Sequence, residues 1–198
     1  MNVKLAAVIV AGLVVGGLAA LSMLPPSATK PGGTTAGKAA VGGPFELTNQ
    51  DGRRLTDKDF HGKLMLVYFG YTFCPDVCPA GLQVISAALD KLGPKADEVT
   101  PVFISLDPER DTPAKLKEYL GSFSHRLVGL TGTPEDIAKV AKEYRAYYKK
   151  VPDPKHPADY TVDHTSIIYI MGRDGNFVSH ATHATNVDAL TGLIQKAL

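Results

Sequence analysis

Apolar runs typical of buried strands alternate with amphipathic helical patterns through most of the chain. The run 64–69 predicts a buried strand, the helical spacing over 79–92 predicts a helix, and the β-branched and aromatic run 102–106 predicts a second strand. The remaining predicted elements are a helix that begins at the N-cap Thr112, a short strand at 126–130, a helix from Thr133 to Tyr148, a polar loop at 152–159, a hairpin with strands at 166–171 and 176–180, and a terminal helix at 186–198. This alternation indicates a layered α/β domain with a mixed sheet.

The N-terminal part of the chain has a different pattern. A short basic start, which ends at Lys4, precedes a stretch of apolar residues, 5–24, in which Ser22 is the one conventional polar side chain. This stretch is long enough to span a bilayer and exceeds the apolar core of an ordinary signal peptide. Residues 1–24 are therefore expected to form a single membrane anchor, with a cleaved signal sequence as the alternative. Residues 25–43 are rich in Pro, Gly, Ser, Thr, Ala and Lys and predict a flexible linker.

The expected folded domain covers residues 44–198. It opens with a small hairpin, whose strands at 45–48 and 54–55 flank a turn that contains glycine. Hydrophobic residues make up 44% of the 198-residue chain, a share that suits one sizeable globular domain with a real core.

The charge pattern argues against nucleic acid as a partner and favours a periplasmic domain. The formal net charge is +1, and the chain has no basic run and no interleaving of arginine with aromatic residues, so nucleic-acid binding is disfavoured. Lys4 and the terminal amine favour a cytoplasmic N-terminus, which places the domain outside. We therefore expect a single-pass protein of the bacterial inner membrane whose domain faces the periplasm, where disulfides can form.

Cys74 and Cys78 are the only two thiols of the chain, and they directly follow the strand predicted at 64–69. Such a pair forms a disulfide, acts as a redox couple or holds a soft metal. The spacer of three residues exceeds the two-residue spacer of thioredoxin-type oxidoreductases, and the wider bite suits chelation without forbidding a disulfide. The residues alone leave all three uses open.

Pro79 predicts where the helix after the cysteines begins. Proline disfavours helical dihedral angles at the preceding residue, so Cys78 is expected as the N-cap, with Cys74 in the loop before it. Both sulfurs would then be exposed at the positive end of a helix, where the thiolate form is favoured. Metal ligation and disulfide exchange both require that form.

A third ligand would come from one of six histidines. Five of them lie in polar, loop-like contexts or at the end of a predicted hairpin strand: His61, His125, His156, His180 and His183. His164 differs because it stands directly before the apolar strand predicted at 166–171. A lone histidine is more often structural, but the cysteine pair makes His164 the candidate third ligand.

Three sequence blocks resemble the signature blocks of the Sco/SenC family and occur in the order typical of that family. They are 70–79 around the cysteines, 106–113 after the second predicted strand, and 162–166 around the histidine. The resemblance covers about 44–198 and implies a thioredoxin-like fold, here with an extra N-terminal hairpin. It also implies that Cys74, Cys78 and His164 bind copper as Cu(I), Cu(II) or both, a set of ligands that suits copper by its softness.

Sco/SenC proteins are membrane-tethered copper-binding proteins that help to assemble the binuclear copper centre, CuA, in subunit II of cytochrome c oxidase. The resemblance therefore implies a metallochaperone, and not an enzyme in the usual sense, with subunit II as its partner and another periplasmic copper chaperone as a donor. Two alternatives use the same cysteines. One is a thiol-disulfide reductase that keeps the CuA-site cysteines reduced, and the other, which has less support, is a peroxiredoxin-like peroxidase.

Two carboxylates and one aromatic residue complete the candidates. Asp107 follows the strand predicted at 102–106, and it is expected either to orient a ligand or its loop, or to serve the turn that follows. Asp163 is expected to position the loop of His164. Several Sco blocks carry a histidine before the first cysteine, where this chain has Phe73. That difference leaves the three implied ligands intact.

Overall fold

The computed structural model describes residues 41–154, 159–182 and 184–198. The anchor predicted at 1–24 and nearly all of the linker predicted at 25–43 lie outside these ranges. Within the described ranges, no helix has the length and apolar character that crossing a bilayer requires. Gly42, at the end of the predicted linker, contacts the domain, since its N–H donates to the carbonyl of Glu143 at 3.0 Å.

The strands of the described chain build one mixed sheet and one separate pair. They are β1 (Glu46–Asn49), β2 (Arg54–Thr56), β3 (Leu64–Gly70), β4 (Val99–Ser105), β5 (Val128–Thr131), β6 (Tyr148–Pro152), β7 (Tyr160–His164), β8 (Ile167–Met171) and β9 (Phe177–Thr182). The mixed sheet has the order β2-β1-β5-β4-β3-β8-β9, while β6 pairs with β7. β3, β4 and β5 run parallel, and β1 and β8 flank them in antiparallel pairs. This architecture is the expected mixed α/β class, and its β1–β2 pair is the expected N-terminal hairpin.

Helices connect the parallel strands and close the chain. They are α1 (Val77–Leu92), α2 (Pro113–Gly121), α3 (Pro134–Glu143) and α4 (Val187–Ala197), with short 3₁₀ turns at Asp57–Phe60 and Gly93–Glu98. The predicted caps are present at α2 and α3. Thr112 accepts a hydrogen bond from the N–H of Lys115, and Thr133 forms a reciprocal capping box with Asp136.

β3 is the centre of the core, because all seven of its residues are buried. Its side chains alternate between two hydrophobic clusters: Leu64, Leu66 and Tyr68 on one face, and Met65, Val67 and Phe69 on the other. The first cluster includes residues of α1, α2 and α4, and the second includes residues of α3. A strand covered on both faces reads as a continuous apolar run, which is why this element was predictable. Its fixed C-terminal end is where the cysteine loop begins.

The β6–β7 pair differs from the prediction of a helix through Tyr148 and a polar loop after it. α3 ends at Glu143, and Arg145 has a positive φ of 54°, which is incompatible with a continuing helix. Tyr148 instead pairs with His164 across the two strands. Four of the five residues of β6 are exposed, so that strand carries no apolar alternation, and β7 alternates around a single buried residue, Val162, which is too short a pattern to predict a strand.

Gly81 in α1 and Gly192 in α4 provide a matched test of how closely α1 approaches β3. A Cβ at Gly81 would lie 2.7 Å from the hydroxyl oxygen of buried Tyr68, whereas a Cβ at Gly192 meets nothing within 4 Å among the described residues. Alanine is favoured over glycine in helices by about 1 kcal/mol, so Gly192→Ala should raise the free energy of unfolding by up to that amount. Gly81→Ala should lower it by about 1–2 kcal/mol, because overpacking outweighs the gain in propensity. Urea denaturation measures both signs, and unchanged stability of Gly81→Ala contradicts the close contact.

Candidate metal centre

Three side chains from two segments meet beyond the end of β3. Cys74 lies in the loop after β3, Cys78 lies in the first turn of α1, and His164 is the last residue of β7. The Sγ atoms of Cys74 and Cys78 and one ring nitrogen of His164 all lie within 4.8 Å of one another. Among the described residues, this is the one group of three or more histidine, cysteine or acidic side chains close enough to share a metal ion.

The hydrogen bonds of this cluster fix the orientation of its donor atoms. The N–H of Cys78 donates to Sγ of Cys74 at 3.4 Å, so the first sulfur satisfies one of the free N–H groups at the start of α1. Nδ1 of His164 lies 3.2 Å from the carbonyl oxygen of Thr165. Since a carbonyl oxygen only accepts, this contact assigns the ring proton to Nδ1 and leaves Nε2 as the basic atom. Nε2 faces Sγ of Cys78 at 3.4 Å.

The burial of Cys78 corrects the expectation that both sulfurs are exposed. The N-cap of α1 is Asp76, so Cys78 is the second helical residue, and its exposed fraction is 0%. Pro79 fits the third helical position because the N–H groups of the first turn have no partner within the helix. Cys74 is only partly buried. The pair therefore has an outer sulfur and an inner sulfur.

The two cysteines have opposite pKa shifts. The pKa of Cys74 is lowered to about 3, first by a hydrogen bond from the Cys78 thiol and also by the backbone N–H groups of Asp76 and Cys78. The pKa of Cys78 is raised, first by that same hydrogen bond and then by burial. The pair therefore carries one shared negative charge, mainly on Cys74. Because its folded pKa is depressed, Cys74 contributes stability that is lost as the pH falls below the ordinary thiol pKa, whereas Cys78, whose folded pKa is raised, contributes stability that is lost as the pH rises above it.

This donor set fits a soft metal ion. Thiolate and imidazole ligands at bond lengths of about 2.0–2.3 Å from a shared metal lie roughly 3.5–4 Å apart, close to the spacing within this cluster. Thiolates and imidazole are the ligands that Cu(I) and related soft ions prefer. Binding would require the Cys78 thiol to release its proton, so metal uptake competes with protons at the inner sulfur.

The two predicted accessory carboxylates lie in different surroundings. Asp107 is fully buried and binds Arg110 through its carboxylate, while the hydroxyl of Tyr160 donates to its Oδ1 at 2.7 Å. Asp163 is exposed on β7 opposite Lys149. The sequence pattern did not distinguish these two environments, and the roles of Asp107 and Asp163 in positioning a ligand or its loop stay predictions.

Asp111 is a site residue that sequence reasoning did not single out. Its buried carboxylate accepts hydrogen bonds from the N–H of Thr72 at 3.0 Å, from the Thr72 hydroxyl at 2.6 Å and from the Ser105 hydroxyl at 2.6 Å. It thereby fixes the cysteine loop to the end of β4. Burial raises the pKa of Asp111, and these hydrogen bonds oppose that shift. The available signal was the cluster of polar residues after the second parallel strand, at the sheet edge where α/β proteins place functional groups.

The chain is similar in sequence and in structure to several known proteins. The SCO1/SenC family model matches residues 33–198. SenC of Rhodobacter capsulatus is 44% identical over 171 residues, which cover 84% of this chain and 76% of that protein. The mitochondrial SCO1 homolog 1 of Arabidopsis thaliana is 46% identical over 167 residues, or 84% of this chain. The structure of Bradyrhizobium japonicum ScoI with copper bound is 51% identical and has a TM-score of 0.75, covering 80% of this chain and 100% of that chain.

The matches bear on the fold of the domain and on how much of each relative the chain covers. The match to ScoI confirms the expected thioredoxin-like, mixed α/β fold of the domain. The chain spans about half the length of the mitochondrial relatives that it matches, with 49% of the Arabidopsis protein and 48% of the human SCO1 homolog covered.

The shared charge of the cysteine pair predicts selective alkylation of the reduced, metal-free protein. At pH 5 an ordinary thiol, with a pKa of about 8.5, is almost entirely protonated, whereas Cys74 is a thiolate. Iodoacetamide at this pH should therefore label Cys74 and leave the buried Cys78 unmodified. Peptide mass spectrometry identifies the labelled residue, and preferential labelling of Cys78 contradicts the assignment of outer and inner sulfurs.

Two variants of the inner residue serve as matched controls. Cys78→Ala removes the hydrogen bond to the thiolate, whereas Cys78→Ser retains a hydroxyl donor. The pH midpoint of Cys74 alkylation should rise by about one unit or more in the alanine variant and by less in the serine variant. Equal midpoints in both variants would show that the hydrogen bond does not set the pKa.

Proposed function

Because the chain belongs to the SCO1/SenC family, we propose that it is a copper-binding protein of cytochrome c oxidase assembly. In this proposal Cys74, Cys78 and His164 hold copper as cargo, and the protein delivers it to the CuA centre of subunit II. The observation that carries the proposal is the convergence of two sulfurs and one basic imidazole nitrogen within 4.8 Å. The copper-bound structure of ScoI, which shares 51% of the aligned residues, supports copper as the ion.

Delivery requires that copper also leaves, and the geometry of the cluster suits ligand exchange. Cys78 is fully buried, while Cys74 and His164 are partly exposed. An incoming ligand of the acceptor therefore reaches the metal from the side of Cys74 and His164. A site with three protein ligands leaves room for that incoming ligand, and exchange proceeds without a free copper ion.

The same proposal includes a location. We propose that residues 1–24 anchor the protein in the bacterial inner membrane and that 25–43 act as a tether for the domain in the periplasm. A tether restricts the domain to the membrane surface, where an oxidase subunit and a periplasmic copper donor are both accessible. The apolar stretch at 5–24 and the linker composition support this arrangement.

Removal of any one of the three ligands should weaken copper binding strongly. Changes to groups that merely support a metal ligand cost about 10–100-fold in affinity, so His164→Ala, Cys74→Ser and Cys78→Ser should each cost on the order of 100-fold or more. Competition titration of the reduced protein with a Cu(I) chelator measures the affinity. His125→Ala, which removes an exposed histidine elsewhere, is the control and should bind like the wild type. Wild-type affinity of His164→Ala would refute the three-ligand site.

A second candidate function is reduction of the acceptor's cysteines, and the low pKa of partly exposed Cys74 favours it. The Cys74 thiolate would attack a disulfide of subunit II, and Cys78 would then displace the acceptor thiolate from the mixed disulfide. The products are a Cys74–Cys78 disulfide and a reduced acceptor. No metal takes part in this exchange.

The His164→Ala variant distinguishes copper delivery from disulfide reduction, because only copper binding uses the imidazole. Metal-free, reduced protein carrying this change should still reduce an oxidised subunit II domain if the reductase function operates, because the exchange uses sulfur atoms alone. Cys78→Ser should stop at a mixed disulfide through Cys74, which non-reducing electrophoresis detects. Thiol titration of the acceptor measures its reduction. No reduction by the wild-type protein removes the reductase function and leaves copper delivery.

A further inference from the structure

Arg110 lies between the two segments that carry the cluster. We infer that Arg110 is a positioning residue that sets the spacing between the cysteine loop and His164, an inference that rests on the proposed copper site. Its side chain is 26% exposed and belongs to the turn between β4 and α2. It contacts aromatic residues of the cysteine loop on one side and the start of β7 on the other.

The guanidinium is fixed to the main sheet through a buried carboxylate. Nε of Arg110 donates to Oδ2 of Asp107, whose side chain is fully buried after β4. Nη1 donates to the backbone carbonyl of Tyr160 at 3.0 Å, and the Tyr160 hydroxyl donates to Oδ1 of Asp107 at 2.7 Å. Arg110, Asp107 and Tyr160 thus form a closed set of contacts that holds the first residue of β7.

The same guanidinium contacts the cysteine loop through ring faces. Its central carbon lies 3.8 Å from the ring centroid of Tyr160, 4.8 Å from that of Phe73 and 5.9 Å from that of Tyr71. Phe73 directly precedes Cys74 in the chain. The Tyr71 ring in turn packs edge-on against the His164 imidazole, with centroids 5.9 Å apart. One planar group therefore bridges both ligand-bearing segments.

The histidine segment needs such a contact because of where it lies in the fold. β6 and β7 form their own two-stranded pair and share no strand pairing with the main sheet among the described residues. An isolated two-stranded hairpin is marginally stable, so its position depends on side-chain packing. Val162 supplies a buried apolar contact in the middle of β7, and Arg110 supplies the contact at its start. The His164 end of β7 is connected to β8 of the main sheet through Thr165 and Ser166, so Arg110 fixes the opposite end of the strand.

Lysine cannot reproduce this contact. The guanidinium is planar and presents several N–H donors, so it stacks on rings while donating to both a carboxylate and a carbonyl. The ammonium group of lysine keeps the positive charge beside Asp107, but it cannot stack on the aromatic rings and lacks the coplanar N–H donors of the guanidinium. Arg110→Lys is therefore the principal variant, since it avoids an unpaired buried carboxylate that could prevent folding. Arg110→Met serves as the stronger variant.

The experiment combines copper affinity with two signals from the histidine. In the otherwise wild-type chain, Arg110→Lys should lower copper affinity by about 10-fold, within the range known for groups that orient ligands. In the His164→Ala background the same change should have an effect of less than about 3-fold, because the positioned ligand is absent. Pulsed paramagnetic resonance of the Cu(II)-loaded protein should show weakened coupling to the imidazole nitrogen. Hydrogen exchange of the metal-free protein should show faster exchange of the amides of β6 and β7.

The control is Arg173→Lys, which changes an arginine that binds Glu98 and the carbonyl of Gly62 in another part of the domain. It should leave copper affinity, nitrogen coupling and exchange of β6 and β7 unchanged. Equal losses of affinity for Arg110→Lys in both backgrounds, or unchanged nitrogen coupling and exchange, would overturn the positioning role. Failure of the wild-type protein to bind copper would instead overturn the proposed function, and the exchange measurement would still report on Arg110 without any metal.

Discussion

The close approach of helix α1 to strand β3 is the constraint on which the site depends. A Cβ at Gly70 would lie 2.8 Å from Sγ of Cys78, and a Cβ at Gly81 would lie 2.7 Å from the hydroxyl of Tyr68. These two glycines allow the first turn of α1 to lie directly against the strand. Cys78 is buried as a result, and its Sγ lies beside the Cys74 sulfur and the His164 ring nitrogen. The difference between an outer thiolate and an inner thiol is thus a consequence of helix packing.

Polar groups beneath the cysteine loop keep that loop in place. Asp111 joins Thr72 to Ser105, and Asp107 joins Arg110 to Tyr160. Buried carboxylates are costly unless hydrogen bonds or a cation compensate for lost hydration, and both carboxylates have such partners. Each one connects the end of β4 to a segment that carries a candidate ligand. The 106–113 block therefore supports the site without supplying a ligand to it.

Sequence reasoning succeeded where a single dominant signal was present. The continuous apolar run of β3, the proline-containing caps and the isolated cysteine pair each have few physical interpretations, and His164 was singled out by its position before an apolar strand. It failed for β6, which is largely exposed, for β7, whose alternation rests on the single buried residue Val162, and for the burial of Cys78, which depends on packing against β3. Arg110 was missed for a related reason. Its contacts join residues up to 50 positions apart, and no local pattern reveals them.

The division of the ligands between two parts of the fold has a consequence for metal exchange. Cys74 lies in the loop that follows β3 and Cys78 lies in the first helix, whereas His164 ends a strand that pairs only with β6 among the described residues and is followed by β8 of the main sheet. Binding free energy of a metal held by all three side chains therefore includes ordering of that pair against the cysteine loop. In the proposed copper site, release of the metal by His164 would require only local movement of β6 and β7, and local opening costs less than global unfolding. Under the proposed function, such an arrangement would keep the two sulfurs in place while the histidine exchanges with a ligand of the acceptor.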